Sequence, residues 1–585
     1  MYKMHKSGEN IRFISLLLLL VLSICAPFIS AQSLIVDKIT VKGNSILPQK
    51  EILSVLKMRE ESLFYSYIYY SDIDAIKILY QHNGFPEAFV EGSYEITETN
   101  KVHLLITIRE GKPQMITDIS LDGSTTDFSP IIKAYKNERW SISVEDTIRI
   151  RIITALQEKG YFKPTVTIIR AISEQYAVTL TVDVAEGTSF TFGNIFVNGN
   201  VVIPRNFITR EADYATGDLF VKSEVVEFQE RLYKLSVFSD VNIKLIDSNG
   251  AVDTIVDVKE DKFKWIGFDF GFTSPATGRF GVEWGNMNFM GFLTKVSLVN
   301  KNEVDFKNDN YKLSLGITAQ KQWLLGKRVT FDGSLLTENE KQEKYGLLSV
   351  KLTASLKKEF FKNVFMIGGF EKSITSYDRL TNDISEDEDI PLDSWLTSNA
   401  LFLNPYCDTI KNKMHPVDDS MYFSVYSKLV GGFLGGNWQY FQTMIETSLY
   451  KNIYDHRVVS VFHAQYKGMS PLGNTLSVPV DELFSLGGAY DIRGYDYAGI
   501  GSEFYTVFYV NKEERIKLYG DWWGEIFLDA GFGLMQDEQL SADNVKYGAG
   551  AGIRYVLPFI IVRADYAYRL IGREYQFHFA IGQVF

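Results

Sequence analysis

The chain changes its grammar near residue 262. Before that point, short alternating runs are separated by stretches in which apolar residues recur every three or four positions. "ITVKGN", "ISLDGS" and "IFVNGN" each read as a short strand closed by a glycine turn, with Gly43, Gly123 and Gly199 lying 80 and 76 residues apart. Helical spacing follows each: "PQKEILSVLKM" with "SDIDAIKILYQHNGF", "SPIIKAYK" with "SVEDTIRIRIITALQEKGYF", and "PRNFITREA" with "VKSEVVEFQERLYKLSVF". Two further strands close each copy, ending in "VHLLITIREG", "AVTLTVDVAEG" and "DTIVDVKED". A period of this kind signals stacked copies of one supersecondary unit. The unit reads β-α-α-β-β, and its helices carry enough apolar residues to cover one face of a small sheet.

Helical spacing disappears after residue 262. Segments of about ten residues alternate apolar and polar between polar or glycine-rich turns, as a transmembrane barrel requires. In "WIGFDFGFT", Ile266, Phe268, Phe270 and Phe272 oppose Gly267, Asp269 and Gly271. In "YQFHFAIGQVF", Phe577, Phe579, Ile581 and Phe585 oppose His578, Ala580 and Gly582. Sixteen such segments begin near 265, 279, 293, 311, 327, 345, 362, 393, 421, 438, 456, 502, 521, 546, 559 and 574. An even count returns both ends of the barrel to the same side. A soluble β-sandwich would not need so many aromatic-rich strands.

The first residues explain how such a chain reaches a membrane. Lys3, Lys6 and Arg12 precede the apolar run "FISLLLLLVLSI", and Ala31 offers a small residue before Gln32. That is the layout of a secretory signal peptide over residues 1–31. Cys25 follows Ile24 rather than a small residue, which argues against lipidation. Removing the segment takes away those three bases and Glu9, and leaves 57 Lys+Arg against 71 Asp+Glu. The balance argues against a nucleic-acid partner. One cysteine, Cys407, remains, so no intramolecular disulfide framework exists. No later segment is apolar for the ~18 residues of a membrane helix. A closed β-barrel is the other way to satisfy backbone groups in lipid.

Covalent chemistry finds no foothold. The sequence lacks H-E-x-x-H, a Walker loop and G-x-S-x-G. His82, His103, His415, His456, His463 and His578 are scattered without metal-ligand spacing. "GAGAG" at 548–552 reads as a strand with small lumen-facing residues, and "SEDEDIP" at 385–391 as a solvated acidic loop. We therefore expect no enzyme, cofactor or metal.

The three amino-terminal units resemble POTRA domains, the polypeptide-transport-associated module, which leave a strand edge open to an added strand. They divide the chain into residues 32–111, 112–187 and 188–262, followed by a barrel over 263–585. The units, the sixteen strands and "IRGY" (Ile492, Arg493, Gly494 and Tyr495) together resemble the BamA/TamA outer-membrane assembly family. That family carries this motif in the long loop between its eleventh and twelfth strands, here residues 469–501. "NKEER" with Glu513 and "FLDAG" with Asp529 resemble the family's acidic motifs on the next two strands, and "LPFIIVRADYAY" its penultimate strand. The resemblance implies that the loop folds back into the barrel, where Arg493 meets Glu513 and Asp529. A guanidinium suits that place because its planar fork grips carboxylates and never deprotonates. The terminal Phe585 on an amphipathic strand resembles the family's assembly signal.

The implied function is insertion of other barrels without covalent chemistry, in the outer membrane of a diderm bacterium. Unfolded outer-membrane or secreted client proteins would dock on periplasmic POTRA edges. They would then enter the lipid at a seam between the first strand, from Trp265, and the last, which contains Phe577, Phe579, Gly582 and Phe585. Gly582 would weaken that last strand. The three-module layout is closer to TamA than to BamA, which implies a large periplasm-spanning partner protein. The alternatives are a two-partner secretion pore and a passive porin.

Overall fold

The computed structural model describes residues 34–173, 176–273, 277–381, 392–473, 475, 478–558 and 560–581. The signal segment, the acidic run 385–391, Gly582 and Phe585 lie outside the described residues. The first module contains β1 (Ile35–Lys42), α1 (Gln49–Val55), α2 (Ser66–His82), β2 (Phe89–Ile96) and β3 (Lys101–Arg109). The second contains β4 (Met115–Asp122), α3 (Ser129–Lys133), α4 (Ile142–Gln157), β5 (Thr165–Ile172) and β6 (Ala177–Ala185). The third contains β7 (Thr191–Asn198), α5 (Arg205–Thr209), α6 (Lys222–Lys234), β8 (Phe238–Ser248) and β9 (Ala251–Glu260). Each sheet places its last strand in the centre, in the orders β1-β3-β2, β4-β6-β5 and β7-β9-β8. The central strand runs parallel to the first and, in the first two modules, antiparallel to the second. The first and second strands are therefore the open edges.

The repeat has a steric cause. Gly43, Gly123 and Gly199 adopt φ of 85°, 76° and 82°. A Cβ at these positions would stand 2.1, 2.7 and 2.1 Å from the carbonyl oxygens of Ile108, Val184 and Val258. The turn after each glycine is fastened by a glutamate at the end of the central strand. Glu110 accepts the Ser45 and Ile46 amides at 2.9 Å each. Glu186 accepts the Ser124 hydroxyl, and Glu260 the amides of Val201, Val202 and Ile203. Burial alone would raise the Glu110 carboxyl, but hydrogen bonds from Ser45, Ile46 and Tyr80 hold it below the usual carboxylate range.

One helix starts earlier than its sequence suggests. The spacing predicts a helix from Ser71, whereas α2 begins at Ser66. The run "SYIYY" has β-favouring residues. However, Tyr69, Ile73, Ile76 and Tyr80 share one buried helical face, and that packing decides.

The second half is a closed antiparallel barrel of sixteen strands. It begins with β10 (Lys264–Thr273), β11 (Thr277–Asn286), β12 (Thr294–Asp305), β13 (Asn310–Lys321) and β14 (Thr330–Lys341). It continues with β15 (Tyr345–Phe361), β16 (Val364–Leu380), β17 (Trp395–Asp408), β18 (Ser420–Val430), β19 (Tyr440–Tyr454) and β20 (Val458–Pro471). A long loop holding the small hairpin of β21 (Phe484–Leu486) and β22 (Gly501–Phe504) intervenes. The barrel then closes with β23 (Thr506–Tyr519), β24 (Trp522–Leu534), β25 (Lys546–Leu557), β26 (Ile560–Arg569) and β27 (Tyr575–Ile581). Every strand starts within four residues of its expected position. Apolar side chains such as Phe268, Phe270, Leu315 and Ile526 point outward and are exposed, as lipid contact requires. The alternate positions face the lumen.

Among the described residues the ladder is shortest at the closure. β10 makes ten residue pairings with β11, from Lys264–Asn286 to Thr273–Thr277. Across the closure, β10 and β27 share a single pairing among the described residues, Thr273 with Ala580.

Candidate functional site

The loop between the eleventh and twelfth barrel strands spans 472–505, and its described residues from Val478 onward fold into the lumen. A sixteen-stranded barrel is too wide for its own side chains to fill. The loop carries the missing apolar bulk. Val478, Val480, Phe484, Leu486, Ile492 and Tyr495 pack with wall residues that include Tyr377, Tyr440, Val507 and Tyr509. Glycine makes the path possible at two points. Gly488 holds φ of 132° within the loop. Gly548 on β25 leaves room for the loop backbone, since a Cβ there would lie 2.0 Å from the Arg493 carbonyl oxygen. "GAGAG" thus clears space for the loop.

Arg493 is 1 % exposed and grips Asp529 with both arms of its fork. Nε donates to Oδ2 and Nη2 to Oδ1, each at 2.8 Å, while the Arg493 amide donates to Oδ2 at 3.0 Å. Nη1 pairs with Glu513 Oε1 at 2.8 Å and with Glu525 at 3.4 Å. The guanidinium also lies over the Phe527 ring, 3.5 Å from its centroid. The structure therefore brings Arg493, Glu513 and Asp529 together.

Sequence reasoning missed most of the network around them. Arg515 pairs with Glu513 at 2.7 Å, and Arg554 with Glu513 at 3.1 Å and with Glu525. Arg563 lies 3.6 Å from Asp565, which is 3.9 Å from Arg493. Four guanidinium groups thus face four carboxylates, all nearly sealed from water. Balanced charge is what a buried cluster needs, because an unmatched ion carries its full desolvation cost. Asn511 donates to Asp529 at 2.9 Å, and His578 Nε2 accepts the Gly494 amide at 2.9 Å. A signal for these residues existed. Asn511, Glu513 and Arg515 share one strand face, as do Glu525, Phe527 and Asp529, so the parity of the two expected acids marks the rest.

The loop is also tied to the opposite wall. The Tyr377 hydroxyl donates to Asp481, and Lys428 bridges Glu482 at 3.3 Å and Glu371 at 2.9 Å. At its tip the loop touches both sides of the seam. The Tyr490 hydroxyl lies 3.1 Å from that of Thr273 on β10, and Gln576 on β27 donates to Asp496 at 2.7 Å.

The expected seam residues divide. Phe579 stands 6.2 Å from Phe272 across the closure, ring to ring. Phe577 is exposed on the lipid face. Trp265 is opposite Gly285 of β11 and is not paired with β27 among the described residues, and Lys295 lies over its indole at 4.7 Å. The reason is register. With Thr273 opposite Ala580, an antiparallel ladder places Trp265 past the described end of β27 at Ile581.

The profile of the Omp85 superfamily domain matches residues 267–585. A POTRA profile, described as a surface antigen variable number repeat, matches residues 34–111. Outer membrane protein assembly factor BamA of Nitratidesulfovibrio vulgaris is 22 % identical over 507 residues, covering 79 % of this chain and 60 % of its own length. BamA of Neorickettsia risticii is 23 % identical over 336 residues, covering 54 % of this chain and 44 % of its own length. The chain therefore spans less than two thirds of these curated relatives. Among solved structures, BamA from Haemophilus ducreyi lacking POTRA domains 1–3 aligns with a TM-score of 0.59 at 17 % identity, covering 80 % of this chain and 99 % of that one. CdiB from Acinetobacter baumannii aligns with a TM-score of 0.50 at 13 % identity, covering 80 % and 89 %. The two share the fold with this chain.

Proposed function

This chain belongs to the Omp85 superfamily, as an outer-membrane barrel behind periplasmic POTRA modules, and from that premise we propose that it inserts client polypeptides into the outer membrane through its seam. Clients are unfolded outer-membrane or secreted proteins. They add a strand to an open edge of a POTRA sheet, then to β10. A large periplasm-spanning partner would deliver or receive them on the same arm. The work is exchange of hydrogen bonds and burial of apolar surface, with no covalent step.

The observation that carries this reading is the seam. Among the described residues β10 shares one pairing with β27, Thr273 with Ala580, against ten with β11. Each unsatisfied backbone group in lipid costs several kcal/mol. A seam that opened there would offer β10 as a template for an incoming strand. The runner-up, a secretion pore that passes its client through the lumen, draws on the fold shared with CdiB. Against it stands the loop tied to both walls, which must leave before anything passes.

Site-specific photocrosslinking tests the choice. A crosslinking side chain at Phe268, on β10 beside the closure, should capture a client barrel in transit. The same group at Leu449, on the lipid face of β19, should not. Equal capture at both positions, or capture only from lumen-facing positions, would reject insertion through the seam.

A further inference from the structure

We propose that two turns of the barrel, residues 287–293 and 322–329, are interfacial anchors that enter the periplasmic leaflet of the membrane and hold its phosphates. The inference goes beyond client insertion and concerns the lipid around the first strands. Both turns lie on the side where the chain enters the barrel, since the Met287 amide donates to the Phe263 carbonyl at 2.8 Å. Periplasmic turns of such barrels are short and polar, as Lys362–Asn363 and Gly520–Asp521 are here. These two are different. Met290 is 75 % exposed and Leu325 92 %, and Phe289 and Phe292 are exposed beside Met290.

The two turns share a design. Each is a single 3₁₀ turn with an apolar pair before glycine, Phe289-Met290-Gly291 and Leu324-Leu325-Gly326. In each, the middle residue takes the left-handed conformation, with φ of 54° at Met290 and 51° at Leu325. A side chain at such a position is disfavoured by its own Cβ. It projects the apolar group away from the barrel, with most of its surface exposed.

What covers these groups follows from continuity and charge. The outward faces of β11 and β12 carry Trp284 and Leu298, paired with each other, so the lipid-facing band runs directly to the 287–293 turn. Cations frame the tips: Lys321 lies 5.4 Å from the Phe292 ring centroid, and Arg328 lies 5.1 Å from that of Trp323. Apolar tips with basic residues beside them are the composition of an interfacial anchor, with chains in the acyl boundary and cations on phosphate. A phospholipid surface meets both needs at once. The anchored strands are those nearest the closure of β10 with β27, so the device grips lipid next to the seam.

The test uses the full chain with Cys25→Ser and Cys407→Ser, refolded in vesicles of phosphatidylethanolamine and phosphatidylglycerol. Met290→Cys or Leu325→Cys would carry an environment-sensitive fluorophore, and Lys413→Cys, in a polar periplasmic turn, serves as the control. Both turn probes should show blue-shifted emission and lose intensity when a shallow lipid-borne quencher is present, while the control does neither. Raising the share of phosphatidylglycerol should deepen the quenching, and Lys321→Gln with Arg328→Gln should remove that dependence. Emission as in the control would overturn the proposal. A blue shift without lipid quenching would also overturn it, because protein rather than lipid then covers the tips.

Discussion

Replacing Arg493 by alanine would leave the carboxylate cluster one positive charge short. In the intact protein four guanidinium groups balance Glu513, Glu525, Asp529 and Asp565, and Arg493 donates to both oxygens of Asp529. Its removal strands a fully buried carboxylate whose remaining side-chain donor is Asn511. Breaking a buried ion pair by deleting one partner costs about 3–5 kcal/mol. Water entering the space left by the side chain reduces that loss, so the lower part of the range is expected. Arg493→Lys keeps the charge but not the planar fork, and should fall between alanine and the wild type. The assay is the temperature at which the folded barrel, visible as a fast-migrating band in detergent electrophoresis, converts to the unfolded band. The order should be wild type, Arg493→Lys, Arg493→Ala, with the POTRA modules still folded in all three. An alanine variant as heat-stable as the wild type would refute the reasoning, because the network would then contribute nothing to holding the loop.

The close approach at β25 gives a sterically simple companion. Gly548→Ala adds one methyl group facing the Arg493 carbonyl, so it should displace the loop tip and lower the same conversion temperature, while Ala549→Gly, on the other face, should change little; the reverse order would contradict the packing. Residues 32–262 expressed alone should form a soluble arm with mixed α/β circular dichroism and cooperative melting, since each module has its own buried core; a fragment that is unfolded or binds membrane would contradict the boundary near residue 262. That arm should be acid-labile. The Glu110 carboxyl titrates below its unfolded value, so its contribution is present above the usual carboxylate pKa and is lost as pH falls through the lower, folded value. Glu110→Gln should weaken the fragment at neutral pH and flatten its loss of stability below about pH 4; an unchanged pH profile would remove the glutamate from that role.

The repeat and the barrel were legible because each rests on a period. Strand alternation of two marks every barrel segment, and the three glycines mark the turns where a central-strand carbonyl leaves no room for a side chain. Legibility ended where partners come from different strands. Arg493, Glu513 and Asp529 stood out through a resemblance, whereas Arg515, Arg554, Arg563, Glu525 and Asp565 are ordinary inward positions until the barrel closes around one loop. His578 read only as one of the residues opposing Phe577 on the last strand, yet it accepts the Gly494 amide. Which residues meet across the seam was not legible, because register across a closure has no local signal. The "SYIYY" run misled because tertiary packing overrode β propensity. The apolar turn tips at Met290 and Leu325 were visible as letters, but their exposure was not.

The most direct test of the seam is to lock it. Thr273 and Ala580 are paired across the closure, so Thr273→Cys with Ala580→Cys, in a chain lacking Cys25 and Cys407, would place a disulfide between β10 and β27. Insertion of a client barrel into vesicles would be measured with the bond formed, verified by electrophoresis, and again after reduction. Passage through the seam requires that the oxidised protein fail and that reductant restore insertion to the wild-type rate. Full insertion with the crosslink intact would contradict the account and send the client through the lumen.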